Sequence, residues 1–404
     1  IEQDLHRQIA DKVLRHQIVL QRGGDSIGQG WNTQTQQQAH YDAYQGAQHT
    51  QHGTHQTKQT KHSHSTEAHA AQNSDIAAAL FHNHDQAPIY RSVEGATMGT
   101  YYRVQYREGQ TCATSQQTLD ELLMAFNQSL STYIPDSEIS EFNRANAQSW
   151  QSLSPRFSAV LQAALQVWRQ SEGAFDVTIG PLVNLWGFGP EDMVELPSLE
   201  AQRLTSRWVG MDQLQLDAAN SAAQKNADEV YVDLSALAKG LGVDELAEHM
   251  AAKGCTDFMV DIGGEMRTRG SSPANRPWRI GIEKPVAGAR TAIQRVLSVS
   301  GQGVATSGDY RNFREVDGIR VDHVIDPRSG QPADNQVASV TVIHPQAMYA
   351  DAYATTIMVL GGDAGLAFAE RLNLAVLIIE KSTDGAFVER YTPPMLAYFV
   401  APAS

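Results

Sequence analysis

The chain has 404 residues, 42% hydrophobic and 19% charged, enough apolar material for one large core or two to three ordinary domains. Its formal charge is −14 (31 Lys+Arg against 45 Asp+Glu), which argues against phosphate-neutralising nucleic-acid binding as its main business, and no run approaches about 18 uncharged apolar residues, so no transmembrane helix is expected. Two cysteines, Cys112 and Cys255, exclude a disulfide framework or a Cys-rich zinc site. A single bridge is the most they can make, and their separation favours two unrelated thiols.

Along the chain, Leu5, Ile9 and Val13 recur at helical spacing and predict a short frayed helix. Residues 1–88 hold 11 of the 14 histidines and 16 glutamines, with 6 basic and 8 acidic groups. Such a composition buries too little apolar surface to offset its ordering entropy, so most of 17–88 is expected to be disordered. The spacings His62-x-His64, His82-x-His84 and His49/His52/His55 suit zinc, copper or nickel. No carboxylate or Cys cluster accompanies them, and composition favours a polar linker over a fixed site. The chain opens on Ile1 rather than Met, so the true N-terminus, and with it any export signal, is expected upstream.

From Tyr90 the texture changes. Tyr102, Val104 and Tyr106 alternate with polar partners and predict a strand. Helices are predicted over 115–130 (Leu119, Leu122, Leu123, Phe126, Leu130) and 155–171 (Phe157, Val160, Leu161, Ala164, Leu165, Trp168), the latter with Pro155 in its first turn. Strands are predicted at 230–234, 258–262, 278–283, 294–300, 338–343 and 374–379, and helices at 236–252 and 347–371. The elements mix without a βαβ rhythm, which favours α+β over a doubly wound sheet. The predicted domains are therefore a Gln/His-rich segment, 1–88, and a folded body, 89–404.

Five segments of the body carry chemistry. Small residues beside Phe175 and Trp186 in 171–189 suit a planar aromatic ligand, or a loop packed by its own aromatics. Val232–Gly240 reads as a strand end turning into a helix that Ser235 can cap, where backbone N–H groups and Lys239 could meet a phosphate. Val260-Asp261-Ile262-Gly263-Gly264-Glu265 allows close backbone approach or a plain turn. His323 lies between Asp322 and Asp326, where an imidazole can act as a base or merely hold structure. Asp351 and Thr355 share one helix face, a hard-cation half-site or a local hydrogen bond.

In this order the segments resemble one family, the ApbE-type flavin transferases. The matching pieces are Thr97-Met98-Gly99-Thr100, Ser131-Thr132-Tyr133 with Asp136–Ser140, Gly173-Ala174-Phe175-Asp176, Gly180–Gly187, Asp233-Leu234-Ser235-Ala236 with Ala238-Lys239-Gly240, Ile262–Glu265, Thr306–Tyr310, His323–Pro327 and Ala350-Asp351-Ala352. The resemblance runs from about Ser92 to the C-terminus. It implies an α+β fold built on T-fold-like antiparallel sheets with packed helices. It implies magnesium-dependent transfer of FMN from FAD to a Thr or Ser hydroxyl of an acceptor flavoprotein, with AMP released. It implies metal ligands Asp351, Thr355 and the Ala236 carbonyl. Met98, Tyr133, Ala174, Phe175, Asp176, Asp233, Lys239 and Ile325 would line the FAD site, and His323 would take the acceptor proton. Acceptors in the family are subunits of sodium-translocating NADH:quinone reductases and Rnf-type complexes. Gram-negative members face the periplasm at the inner membrane as lipoproteins, which would place a lipid anchor upstream of this chain. One departure is Ala354, where some members carry a second Asp. A magnesium-dependent FAD pyrophosphatase and a non-catalytic flavin binder are the alternatives.

Overall fold

The structure is a computed structural model and describes residues 88–109, 111–189, 196–286, 292–309, 313–316, 319–333 and 335–400. The expectations placed on 1–87, including the short helix, the disordered segment and its His spacings, lie outside the described residues, as does Tyr310.

The chain enters through β1 (Tyr90–Thr97) and β2 (Thr100–Arg107), then α1 (Gln116–Leu130), α2 (Glu138–Arg144), β3 (Gln151–Ser152), α3 (Pro155–Gln170), α4 (Gly180–Leu185) and α5 (Leu199–Thr205). It continues through β4 (Leu214–Asp217), β5 (Ala222–Lys225), α6 (Ser235–Ala252), β6 (Phe258–Ile262), β7 (Glu265–Arg269), β8 (Trp278–Glu283), β9 (Ile293–Val299) and β10 (Gly303–Gly308). Four short strands follow, β11 (Phe313–Val316), β12 (Ile319–Asp322), β13 (Ile325–Asp326) and β14 (Gln331–Pro332). Last come β15 (Val337–His344), α7 (Ala347–Leu360), α8 (Gly362–Arg371), β16 (Ala375–Lys381) and β17 (Phe387–Tyr391).

One eight-stranded sheet dominates, in the order β1-β2-β6-β7-β10-β15-β16-β17, and its ladders are all antiparallel. The predicted alternation holds on β2, where Tyr102 and Val104 are fully buried. α6 packs against β6 and β7, and α7 against β10 and β15. The mixture of helices with antiparallel strands is the expected α+β fold.

Local rules account for several boundaries. Ser154 caps α3 by accepting from the Phe157 N–H, and Pro155 stands where a missing donor costs nothing. Ser115 caps α1 in the same way. Three expectations need correction. The predicted strand at 230–234 is extended chain making a single bridge, Tyr231 to Ile179, because its partner is a short loop rather than a sheet. The predicted helix at 347–371 is two helices, broken at Gly361, whose φ of 80° belongs to the left-handed region. Cys112 and Cys255 are not separate thiols. They are disulfide-bonded, buried between β2, α1 and α6. A contact between residues 143 apart in sequence leaves no local pattern to read.

Candidate active site

Two hairpin turns build one edge of the site. Met98 and Gly99 join β1 to β2 with φ values of 49° and 69°, and Gly263 and Gly264 join β6 to β7 with 62° and 109°. Two-residue loops of this kind need positive φ at both positions. The turns are neighbours: the Gly263 N–H donates to the Tyr101 carbonyl at 3.0 Å. A Cβ on Gly263 would press on Thr100. Glu265 follows the second turn directly and opens β7.

The helix pair supplies the charges. Lys239 of α6 reaches Glu265 Oε1 at 3.3 Å and Asp351 Oδ2 of α7 at 3.7 Å. The Gly240 N–H donates to the same Asp351 oxygen at 3.1 Å. In a regular helix that N–H also faces the Ala236 carbonyl, so Ala236 and Asp351 are close neighbours. Thr355, one turn beyond Asp351, has its hydroxyl 3.4 Å from that of Ser307 at the end of β10.

Two buried acids share one base here. Asp351 is 2% exposed and Glu265 4%. Burial pushes the Glu265 carboxyl up to about 7, with Lys239 pulling it back and Asp351 adding to the rise. Burial raises Asp351 too, against the pull of Lys239. Burial draws the Lys239 ammonium down, but Asp351 and Glu265 outweigh it and hold the ammonium above its ordinary value. Glu265 Oε2 is buried without a hydrogen-bond partner, so the cluster keeps one unsatisfied carboxyl oxygen. Among the described residues no group of three or more His, Cys, Asp or Glu side chains gathers as a metal cluster. A cation here would therefore meet the Asp351 carboxylate together with hydroxyl and carbonyl oxygens, a donor set that fits a hard ion such as magnesium. Ala354, fully buried in the main core, offers no further carboxylate.

A second group surrounds the segment leading into α6. Asp233 accepts from the N–H and hydroxyl of Ser235, at 2.8 and 2.5 Å. It is Asp233, then, that closes the start of α6, rather than Ser235 acting as its own cap. The Asp233 N–H donates to the Val177 carbonyl at 2.7 Å, tying this segment to Phe175 and Asp176. Ala174 and Phe175 are buried in the main core. Asp176 accepts from the Thr178 N–H and hydroxyl and from the Met211 N–H, so its carboxylate already shapes its own loop. Tyr133 is half-exposed, and its hydroxyl is raised by burial and then by the charge of Asp233. Met98 bridges to the first group, since a Cβ on Gly242 of α6 would stand 2.9 Å from its Cε.

His323 and Ile325 belong to a third group. Ile325 packs with Leu182, Trp186 and Val321 in a small cluster, and His323 meets the Phe188 ring edge-on with centroids 6.3 Å apart. The Trp186 ring N–H donates to the Gly330 carbonyl at 2.9 Å, closing this loop on α4. The structure thus joins Lys239, Asp351, Thr355 and the Ala236 turn tightly, and places Asp233, Tyr133 and the Phe175 loop beside them. His323 borders the small cluster of Leu182, Trp186, Val321 and Ile325 through the Phe188 ring. Sequence reasoning missed Glu265 and Ser307 as members of the charged group. No local signal marks Glu265, because an acid beside a hairpin turn ordinarily faces water and only the packing of α6 and α7 covers this one.

Comparison with known proteins follows the same lines. Residues 98–378 match the ApbE family. An FAD:protein FMN transferase of Haemophilus influenzae is 43% identical over 307 residues, covering 74% of this chain and 88% of that protein. The flavin transferase ApbE of Vibrio cholerae superposes with a TM-score of 0.72 at 39% identity, covering 77% of this chain and 100% of that one. The Pseudomonas stutzeri flavinyl transferase ApbE, in its apo form, gives 0.71 at 35% identity, covering 78% and 98%. The chain belongs to the ApbE family.

Proposed function

We propose that this chain is an FAD:protein FMN transferase that works with magnesium and passes FMN to a Thr or Ser hydroxyl of an acceptor flavoprotein. The observation that carries the reading is the buried cluster of Asp351, Lys239 and Glu265 beside Thr355 and Ser307, with one acid more than bases. Asp351, Thr355 and the Ala236 carbonyl would hold the magnesium ion, which when bound offsets negative charge on the FAD pyrophosphate. Lys239 favours the ionised form of Asp351 against the effect of its burial and aims the carboxylate. Tyr133, Met98 and the Phe175 loop bound the space for the flavin. His323 accepts the proton of the acceptor hydroxyl. The hydroxyl oxygen bonds to the FMN phosphorus, the bond from that phosphorus to the bridging oxygen breaks, and AMP leaves with that oxygen.

The disulfide supports a periplasmic setting, because such bonds persist in oxidising compartments. Attachment to the inner membrane would come from outside the described residues, among which no helix is long and apolar enough to cross a membrane. Acceptors of the sodium-translocating NADH:quinone reductase or Rnf type fit the reading. The test is incubation with FAD, magnesium and a Thr-containing acceptor, following acceptor mass and AMP together. Acceptor gaining one FMN for each AMP is the expected result. AMP and free FMN without acceptor labelling would make the chain a pyrophosphatase, and neither product would make it a binder.

A further inference from the structure

α7 carries Asp351 and Thr355, yet its first turn is not capped by the residue that precedes it. The N-cap residue Gln346 makes no side-chain cap hydrogen bond. The cap comes from the neighbouring helix. Asp244 of α6, 8% exposed, accepts from the Ala347 N–H at 3.0 Å through Oδ1 and from the Met348 N–H at 2.9 Å through Oδ2. Arg267 of β7 donates to Asp244 Oδ1 at 2.5 Å and balances its charge. Both oxygens of a buried carboxylate are thus spent on the start of the helix that bears the metal half-site.

Two glycines press the same point from other sides. A Cβ on Gly240 would lie 2.4 Å from the Ala347 carbonyl oxygen, and one on Gly303 of β10 would lie 2.5 Å from the Ala347 nitrogen. Real Cβ atoms do not approach backbone so closely, so α6 and β10 both touch α7 at Ala347 through bare backbone. Gly240 is therefore kept inside α6 despite a cost of about 1 kcal/mol against Ala in a helix interior.

The contacts also share a register. Gly240 meets Asp351 and Asp244 meets Ala347. Each step is four residues, one turn, and Gly240 also lies against Ala347, so the contacts bracket one crossing of α6 and α7. A slip or rotation of α7 that broke the Asp244 rung would carry Asp351 away from Lys239 and the Gly240 N–H. A local Ser or Asp at Gln346 would stabilise the helix end equally well, but it would not tie α7 to α6.

We propose that Asp244, with Arg267, is a positioning residue: a clamp between helices that sets where Asp351 and Thr355 stand relative to Lys239 and the Ala236 turn. It deepens the transferase reading, and its kinetic arm rests on that reading, while its structural arm does not.

The experiment separates capping from clamping. Asp244→Ala removes both, and adding Gln346→Asp restores a local cap without the link to α6. The first measurement is amide hydrogen exchange of the metal-free protein. In Asp244→Ala the amides of Ala347, Met348 and Gly240 should all exchange faster, by roughly tenfold or more, the scale of one lost hydrogen bond to a charged group. In the double variant Ala347 and Met348 should recover while Gly240 stays fast. Recovery of Gly240 in the double variant, or its unchanged protection in Asp244→Ala, overturns the clamp. The second measurement is magnesium affinity by calorimetry without FAD, together with the apparent KM for magnesium in the transfer assay. Both should weaken roughly tenfold in the double variant, with kcat at saturating magnesium kept within about threefold. A double variant with wild-type magnesium affinity makes Asp244 a plain cap and overturns the proposal. Should Asp244→Ala fail to fold, Asp244→Asn, which keeps one acceptor and the same shape, takes its place with intermediate shifts expected, and unchanged Gly240 protection there also overturns it. A wild-type chain that transfers no FMN would defeat the functional reading alone, since the Gly240 measurement needs no substrate.

Discussion

The helix pair α6/α7 and the small cluster around His323 are built in opposite ways. Asp351 stands on a helix whose neighbours are nearly all buried, seated on an eight-stranded sheet and held by Asp244, Gly240 and Gly303. His323 stands between β12 and β13, beside four buried apolar side chains and two-stranded ladders. The first region holds charges whose placement must be fixed before any ligand arrives, so it belongs on rigid elements. The second lies on short connections of the kind that carry contact with a partner and adjust to it. The contrast matches the two partners of the proposed reaction. In the proposed reaction the pyrophosphate of FAD would meet the rigid half, and the hydroxyl of an acceptor protein would meet the adaptable half.

The largest effect should come from breaking the rigid half. Asp351→Ala is expected to cut FMN transfer by roughly 10³-fold or more, the scale of losing a principal charge-stabilising group. Lys239 keeps Glu265 as a partner in this variant, so the fold should persist. Near-normal AMP release at ordinary magnesium would remove Asp351 from the metal assignment. His323→Gln breaks the other half. A lost general base should slow transfer about 10²–10⁴-fold with FAD affinity nearly kept. If saturating FAD restores turnover instead, His323 only orients the nucleotide.

The contrast also sorts what the sequence could reveal. Asp351, Thr355 and Lys239 were legible because spacing and motif order act along the chain, and the helices that carry them are long and periodic. Helix α3 and strands β6 and β8 were likewise readable from periodicity and turn residues. What failed was contact across the chain. Glu265 reads as the tail of a turn until α6 and α7 are packed over it. Asp244 reads as one more exposed helical acid, because its partners Ala347 and Met348 lie about a hundred residues on. The 230–234 run has strand composition, but only tertiary pairing decides whether a sheet receives it. The disulfide failed for the same reason.

That disulfide gives the third prediction. It ties the connection after β2 to the connection after α6, at the far end of α6 from Lys239. An 18-residue helix puts roughly 20 Å between them. Cys112→Ala/Cys255→Ala should therefore lower unfolding stability by about 2–5 kcal/mol. The transfer rate per folded molecule should stay near wild type. Chemical denaturation and single-turnover assays on the same sample decide it, and a large fall in the rate of fully folded protein would link this end of α6 to the site.

A smaller effect concerns Glu265 and pH. Its folded carboxyl is held up to about 7, foremost by burial, whereas an unfolded Glu titrates near 4.3. Between those values the folded state binds more protons than the unfolded one, so stability from this group is present below about 4.3 and is lost as pH rises through about 7. Glu265→Gln should remove that slope. Urea unfolding of metal-free wild type and variant at pH 5 and pH 8 measures it. The wild type should lose more stability than the variant over that interval, and equal losses would place the titration elsewhere.

The smallest effect expected is from deleting residues 1–87. Both halves of the site lie beyond Tyr90, and the family match begins at residue 98. The cut leaves the contacts that start β1: the Ile89 carbonyl accepts from Glu108, and the Tyr90 hydroxyl donates to the Ser271 carbonyl at 2.6 Å. It also leaves the charge balance close to intact, since the removed stretch carries nearly equal numbers of acids and bases. A Gln/His-rich stretch of this composition is expected to add little to a core. Transfer to a Thr-containing acceptor should stay within about twofold of the full chain, and the melting temperature within a degree or two, as for changes away from buried groups. A truncated chain that folds but labels acceptor protein slowly, while still releasing AMP at the full rate, would assign the segment to acceptor capture and so to the adaptable half. A truncated chain that fails to fold would show that β1 depends on what precedes it, and the boundary at 88 would have to move.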